Sequence, residues 1–165
     1  MNQVREVTGT AFIVAEFRAC ENEQANPLYR DPVVHIFLDE RTKKAAATIR
    51  ANFPAGEKMP RLRTRYYDDR LDAQLAKGCQ QVVILGSGLD TRAVRKQTDG
   101  VAFFEIDDAR TIEFKKARLA ANGFDARVTF IPGNYVASGV LPLLGATASI
   151  LTCPAFSSGK AIRCT

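Results

Sequence analysis

The stretch Gln81–Arg92, reading QVVILGSGLDTR, constrains the fold of this chain more than any other. Val82–Leu85 is a short, β-branched apolar run, typical of a strand that is buried on both faces of a sheet. It ends at Gly86-Ser87-Gly88, where the backbone can turn sharply and approach a ligand without side-chain obstruction. Asp90-Thr91 then offers caps for a helix. Strand, glycine turn and helix predict a nucleotide-binding βαβ unit; the alternative is a buried strand with a tight turn and no ligand.

Acidic side chains follow the next apolar run. Val101–Ile106 predicts a second strand, and Glu105, Asp107 and Asp108 cluster at its end. A carboxylate at this place, about twenty residues beyond the glycines, is where such folds hold a nucleoside ribose. Asp108 is alternatively the N-cap of a helix that we predict over Ala109–Ala121.

Alternating strands and helices indicate the fold class. Val128–Ile131 predicts a third strand, and the succession favours an α/β protein with a doubly wound, mostly parallel, Rossmann-like sheet. Ligands of such sheets collect at the carboxyl ends of the strands. Six residues are expected to gather there: Gly86, Gly88, Glu105, Asp107, Asn134 and Tyr135.

The residues before the glycine turn are mainly typical of helices. Apolar patterns predict helices over Thr8–Cys20 and Val33–Leu38, and an alanine- and lysine-rich composition predicts one over Arg41–Ile49. Pro54–Pro60, with a central glycine, is predicted to be a loop. A further helix is predicted over Arg61–Lys77.

Two arginines, Arg63 and Arg65, stand at the start of the last of these predicted helices. Positive charges at a helix N-terminus oppose the helix dipole, so local stability does not favour them there. Either they are simply solvated or they face an anion.

Composition narrows the choice of partners. The chain has 165 residues and a net charge of +5, but its Lys and Arg residues are scattered, so we predict no nucleic-acid partner. The four cysteines lack CxxC spacing and are accompanied by a single histidine, which argues against a metal site and favours a reducing cytoplasm. No stretch is apolar for long enough to span a membrane, and the N-terminus lacks a signal-peptide pattern, so we predict no membrane partner.

Several motifs resemble those of one family in their order and approximate spacing. They read TAFIVAEFRA, RTRYYDDRLDAQLAKG, QVVILGSGLDTRA, FFEIDDARTIEFKKARL and VTFIPGNYV, with Asp31-Pro32 after the first, and they cover about residues 7 to 140. LGSGLDTR followed by FEID is the most specific pair. On these residues the chain resembles S-adenosylmethionine-dependent methyltransferases of the leucine carboxyl methyltransferase type, especially their actinobacterial branch.

The resemblance implies a site for the methyl donor S-adenosyl-L-methionine. Gly86 and Gly88 would line the path of its methionine and adenosine parts. Asp107, with Glu105 nearby, would lie at the ribose, and Asp90 lies in the same loop as the glycines.

The resemblance also implies contacts for the two ends of the donor. Arg65, or alternatively Arg63, would bind its carboxylate. Asn134-Tyr135 falls where many relatives have Asp-Leu beside the adenine. An asparagine can still accept a hydrogen bond from the adenine amino group, but the negative charge is lost.

The activity implied by the resemblance is O-methyl transfer to a carboxylate or hydroxyl of a small molecule or peptide. An NAD-dependent dehydrogenase is a weaker alternative. Its G-x-G-x-x-G fingerprint requires a third glycine where this chain has Thr91.

The resemblance stops near Val140, where the family continues with a strand and a motif close to FIWEGNTMYL. The genetic code permits a set of codons for Ala148–Thr165 that also has meaning in a second reading frame. Read in the frame that starts on the last base of the Ala148 codon, these codons encode FDLDLPSFFIWEGNTMY. We therefore expect that the chain is truncated by a frameshift near residues 140–147. Sequencing the coding DNA through this region tests the hypothesis.

Three regions are expected from this pattern. They are an N-terminal helical cap at 1–60, a donor-binding Rossmann-like half at 61–140 and an aberrant tail at 141–165. The alternative to an active methyltransferase is a non-catalytic truncated remnant that binds the donor weakly or not at all.

Overall fold

A parallel β-sheet is the centre of the fold. The computed structural model describes residues 9–145 and the backbone of residues 155–157. All the strands run parallel, in the order β3-β2-β1-β4. The strands are β1 (Gln81–Leu85), β2 (Ala102–Asp107), β3 (Val128–Pro132) and β4 (Ala155–Ser157). The predicted α/β class and Rossmann-like parallel sheet are confirmed.

Helices precede the sheet and connect its strands. They are α1 (Gly9–Ala19), α2 (Glu40–Asn52), α3 (Ala55–Leu75), α4 (Arg92–Arg95), α5 (Ala109–Ala121), α6 (Tyr135–Ser138) and α7 (Val140–Gly145), with 3-10 turns at Cys20–Glu23 and Val34–Phe37. No helix among the described residues is both long enough and apolar enough to cross a membrane.

The apolar run of β1 is buried on both faces of the sheet, as its sequence predicted. Val82 and Ile84 pack on one face against Leu71 of α3. Val83 packs on the other face in a cluster with Leu144 of α7. Because successive side chains of a strand point to opposite faces, a continuous apolar run suits a strand covered on both sides.

Helix α1 and the second 3-10 turn pack together against α5 and the residues that follow β1. Phe12 of α1 belongs to one buried cluster with Phe37 of the second 3-10 turn, Leu119 of α5 and Leu89, which follows the glycine turn. The rings of Phe12 and Phe114 meet edge to face with centroids 5.5 Å apart. This cluster places α1 directly beside the glycine turn.

The predicted loop over Pro54–Pro60 is wrong, because α3 already begins at Ala55. Pro60 lies inside α3, and because it has no backbone N–H the helix lacks one hydrogen bond there. Side chains offset that loss: Glu57 pairs with Arg61, four residues later, at 3.2 Å, and with Arg50 of α2 at 2.5 Å. A glutamate in the first turn also complements the helix dipole.

The early start of α3 corrects the interpretation of the two arginines. Arg63 and Arg65 lie in the middle of a 21-residue helix, not at its N-terminus, so the helix dipole does not disfavour them. The helix also runs across the expected boundary between the cap region and the donor-binding half. The expected tail at 141–165 lies mostly outside the described residues, which include only the end of α7 and the backbone of β4.

Candidate functional site

A cavity of about 660 Å³ opens at the carboxyl ends of β1 and β2. This volume lies within the range of about 300–1,000 Å³ that is typical of small-molecule sites. Residues of α1, α3, the turn after β1, the end of β2 and the start of α6 line it. The cavity therefore stands where parallel sheets of this class bind ligands.

The turn after β1, residues 86–90, is called the glycine loop below, and it forms one wall of the cavity. Gly86 and Gly88 have backbone φ angles of +59° and +49°, which residues with a Cβ atom rarely adopt. The loop is held to β2 because the N–H of Gly86 donates to the carbonyl of Ile106 at 2.9 Å. Both predicted glycines thus present bare backbone to the cavity.

Asp107 ends β2 and faces the glycine loop across the cavity. Its Oδ2 accepts a hydrogen bond from the N–H of Gly88 at 2.6 Å, and its Oδ1 accepts one from the N–H of Asp108 at 2.7 Å. A carboxylate has about four acceptor positions, so about two remain for a ligand. Asp108 itself caps α5 by accepting from the N–H groups of Arg110 and Thr111, as predicted for that alternative.

Asp90 lines the cavity as an ionised carboxylate. Burial acts to raise its pKa, but the nearby charges of Arg92 and Arg18 hold the pKa well below its usual range. The backbone N–H of Arg92 also donates to Oδ1 at 2.8 Å, and its guanidinium pairs with Oδ2. The negative charge of Asp90 is therefore already balanced by guanidinium groups of the protein.

The structure separates the two candidate arginines. Arg63 lines the cavity, and its guanidinium makes no hydrogen bond or ion pair within the described part of the chain. Arg65 lies outside the cavity, where it donates to Asp69 at 2.8 Å and to the carbonyl of Leu28 at 2.6 Å. Of the two, only Arg63 is placed to meet an anion in the cavity.

Glu105 does not reach the cavity, although it precedes Asp107 by only two residues. Its side chain is 1% exposed and forms an ion pair with Lys115 of α5, which is equally buried. Burial raises the pKa of the Glu105 carboxyl, while the ammonium of Lys115 opposes that rise. Glu105 therefore supports the sheet beneath the site.

Asn134 and Tyr135 take different positions at the start of α6. Asn134 is exposed and caps the helix, accepting hydrogen bonds from the N–H groups of Val136 and Ala137. Tyr135 lines the cavity and lies over the glycine loop, because its hydroxyl is 3.0 Å from the point where a Cβ on Gly86 would stand.

Three further residues of the cavity wall were not anticipated from the sequence: Arg18, Tyr67 and Arg92. Arg18 and Glu16 are the two charged residues of an otherwise largely apolar helix, which was the available signal for a polar role. Tyr67 follows Arg63 by four residues and so shares its face of α3. Arg92 stacks over the Tyr67 ring at 5.4 Å from its centroid.

Comparison with known proteins decides the family. The family model described as leucine carboxyl methyltransferase matches residues 11–146, which is most of the chain. The chain belongs to the leucine carboxyl methyltransferase family. The predicted resemblance is thereby confirmed.

This chain is also similar to individual actinobacterial proteins that are longer than it is. A Streptomyces avermitilis protein is 34% identical over 136 residues, covering 73% of this chain and 46% of that protein. A Mycobacterium tuberculosis protein is 38% identical over 134 residues, covering 71% of this chain and 43% of that protein. Both are provisionally named S-adenosyl-L-methionine-dependent methyltransferases. The chain thus spans less than half the length of these curated relatives.

Proposed function

We propose that the described residues form the donor-binding part of an S-adenosyl-L-methionine-dependent O-methyltransferase. The supporting observation is one cavity that brings together the bare backbone of Gly86 and Gly88, the carboxylate of Asp107 and the unpaired guanidinium of Arg63. The donor has a ribose with two hydroxyls at its centre and an amino acid carboxylate at one end. The two remaining acceptor positions of Asp107 suit the hydroxyls, and Arg63 suits the carboxylate.

The reaction requires alignment more than acid–base chemistry. In-line transfer would form a bond between the acceptor oxygen and the methyl carbon and break the sulfur–carbon bond, whose electron pair would stay on sulfur; a carboxylate acceptor has no proton to lose, whereas a hydroxyl would release its proton to solvent. Because the sulfonium already activates the methyl group, the residues of this chain have to hold the donor still and exclude water. The apolar side chains of α1 that line the cavity, Ala11 and Val14, provide part of that exclusion.

Isothermal titration of the purified chain with S-adenosyl-L-methionine tests the proposal, with circular dichroism to follow unfolding. We expect saturable binding at one site, competition by S-adenosylhomocysteine and no competition by NADH. Absence of binding to a chain that melts cooperatively would contradict donor binding. Absence of both binding and a melting transition would favour the alternative of a non-catalytic remnant.

The two arginines give a sharper test of how the donor is held. We expect Arg63→Ala to weaken donor binding by about tenfold to a hundredfold, because a charge-assisted hydrogen bond contributes about 1.5–3 kcal/mol. Arg65→Ala should leave the affinity unchanged, since Arg65 contacts Asp69 and Leu28 outside the cavity. Titration of both variants decides between them, and the reverse order of effects would return the role to Arg65.

Gly86→Ala is expected to reduce both stability and donor affinity. A side chain at a positive φ costs about 1–2 kcal/mol, and the new Cβ would stand 3.0 Å from the Tyr135 hydroxyl at the cavity wall. Gly100→Ala is the matched control, because Gly100 has a φ of +80° with no atom near the new Cβ. Both variants should have a lower melting temperature. In isothermal titration with S-adenosyl-L-methionine, only Gly86→Ala should bind the donor more weakly.

The class of acceptor can be read from the stability of the product. A serine- and threonine-free peptide with a free C-terminal carboxylate is incubated with methyl-labelled donor, beside the same peptide amidated at its C-terminus. Label that mild base releases, found on the free peptide only, supports a carboxylate acceptor. No label on the free peptide would contradict a carboxylate acceptor of this kind.

A further inference from the structure

A buried carboxylate in the Asp31-Pro32 turn joins α1 to the glycine loop. Asp31 is 0% exposed. Its Oδ2 accepts from the Thr91 hydroxyl at 2.7 Å and from Nη2 of Arg18 at 2.7 Å, while its Oδ1 accepts from the N–H of Val34 at 3.1 Å. Asp31 and Thr91 are 60 positions apart in the chain.

Arg18 extends the same contact to the other side of Asp90. Its Nη1 donates to the carbonyl of Leu89 at 2.9 Å, and its Nη2 also lies 3.2 Å from the Thr91 hydroxyl. Leu89 and Thr91 are the two neighbours of Asp90, whose carboxylate lines the cavity. The pair formed by Asp31 and Arg18 therefore clamps the loop immediately before and after a cavity residue.

The clamp is part of a larger network of alternating charges. Arg95 lies 3.5 Å from Asp31 and donates to Asp68 of α3 at 2.9 Å, and Asp68 also accepts from Nε of Arg92 at 2.8 Å. The network contains three carboxylates and three guanidiniums: Asp31, Asp68, Asp90, Arg18, Arg92 and Arg95. Removing one carboxylate leaves a buried positive charge uncompensated, so the remaining groups must rearrange.

We propose that Asp31 is a positioning residue of the donor site. It does not line the cavity, and it acts through Arg18 and Thr91 to hold residues 89–91, the end of the glycine loop and the residue after it, in the conformation that binds the donor. A glycine-rich backbone is otherwise free to adopt many conformations, and a loop held in its binding conformation loses less freedom when the ligand arrives. The inference rests on the proposed binding of S-adenosyl-L-methionine.

Asp31→Asn and Asp39→Asn form a matched pair for the test. Both aspartates accept backbone N–H groups at the start of a helical segment in the N-terminal region, but within the described residues the Asp39 side chain accepts only from Arg41 and Thr42 of α2. We expect Asp31→Asn to weaken binding of S-adenosyl-L-methionine by about tenfold or more, since a loop that is no longer held in place must be ordered when the donor binds. Asp39→Asn should leave the affinity unchanged and alter the melting temperature little, since Asn caps a helix about as well as Asp.

A second pair tests the loop side of the clamp with less risk to folding. Thr91→Ser keeps the hydroxyl that donates to Asp31, whereas Thr91→Val keeps the shape and removes it. We expect Thr91→Ser to bind the donor as the unmodified chain does and Thr91→Val to bind it about tenfold more weakly.

Hydrogen exchange without the donor gives an independent readout. The N–H of Asp90 donates to the carbonyl of Ser87 at 2.8 Å inside the loop. Its exchange should accelerate in Asp31→Asn and Thr91→Val but not in Asp39→Asn. If the unmodified chain binds no S-adenosyl-L-methionine, the proposed function fails, and exchange alone decides whether Asp31 positions the loop. Equal affinities and equal exchange in Asp31→Asn and Asp39→Asn would overturn the inference.

Discussion

Replacing Asp107 with alanine is expected to weaken binding of S-adenosyl-L-methionine by about a hundredfold or more. Two hydrogen bonds from the ribose hydroxyls to a charged acceptor would be lost, each contributing about 1.5–3 kcal/mol. The variant also removes the acceptor of the Gly88 N–H, which the carboxylate now holds at 2.6 Å, so the glycine loop loses a support at the same time. Isothermal titration measures the effect.

Asp108 is the matched control for this prediction. It is the adjacent carboxylate, but it caps α5 and does not line the cavity. Asp108→Ala should cost about 1 kcal/mol of stability through the lost cap and leave the donor affinity unchanged. The proposed ribose contact would be refuted by an Asp107→Ala chain that folds and binds the donor as tightly as the unmodified one.

The largest effect on stability is expected from Lys115→Met. Removing one partner of a buried ion pair leaves the other charge uncompensated, which typically costs about 3–5 kcal/mol. Lys115 and Glu105 are each 1% exposed, so water does not replace the lost partner. Denaturant unfolding followed by circular dichroism measures the change. Lys116→Met is the control, because Lys116 is half exposed and should matter little.

The penalty of Lys115→Met should depend on pH. Burial raises the pKa of Glu105 in the folded protein, and in this variant no ammonium opposes the rise. In the unfolded chain the carboxyl keeps its ordinary pKa of about 4.3. The folded variant therefore holds a proton that the unfolded chain releases, so its free energy of unfolding falls as pH rises above that value. At pH values below the unfolded-state pKa, the Glu105 carboxyl is neutral in both states. The difference in free energy of unfolding between Lys115→Met and the unmodified chain should therefore shrink there.

A double variant separates the charge from the packing. Glu105→Gln combined with Lys115→Met removes both charges, and we expect it to be more stable at neutral pH than Lys115→Met alone. A loss of stability in Lys115→Met that does not change with pH, or that the second substitution does not relieve, would show that packing, and not the unpaired buried charge of Glu105, sets the penalty.

Local signals in the sequence were enough for several elements. The strand over Val82–Leu85 and the helix over Ala109–Ala121 match the structure closely, because each is specified by neighbours in the chain. An apolar run buried on both faces marks the strand. Asp108 caps the helix, and Asn122-Gly123 ends it. The bounds of such elements can be predicted without knowing which other elements pack against them.

Packing between distant segments determines which of the two arginines and which of the two acids face the cavity. Arg63 and Arg65 are two residues apart on a helix, so they point to nearly opposite sides, and only the rotation of α3 against the sheet selects the one that faces the cavity. Glu105 and Asp107 share one face of β2. Lys115 of α5 covers Glu105, whereas Asp107 is the last residue of β2 and lies one position beyond the last residue that pairs with β1.

Sequence alone was sufficient for the family, the α/β class and the glycine loop with the acid after the second strand, since these are properties of contiguous residues. Three-dimensional structure was needed for the start of α3, for Arg63 at the cavity and for the clamp of Asp31 on the loop. The contacts of the clamp join residues 13 to 73 positions apart, and no local pattern records which side chains meet over such separations. The physical reason is that buried charges are tolerated only where the fold supplies a partner, and that partner is chosen by packing.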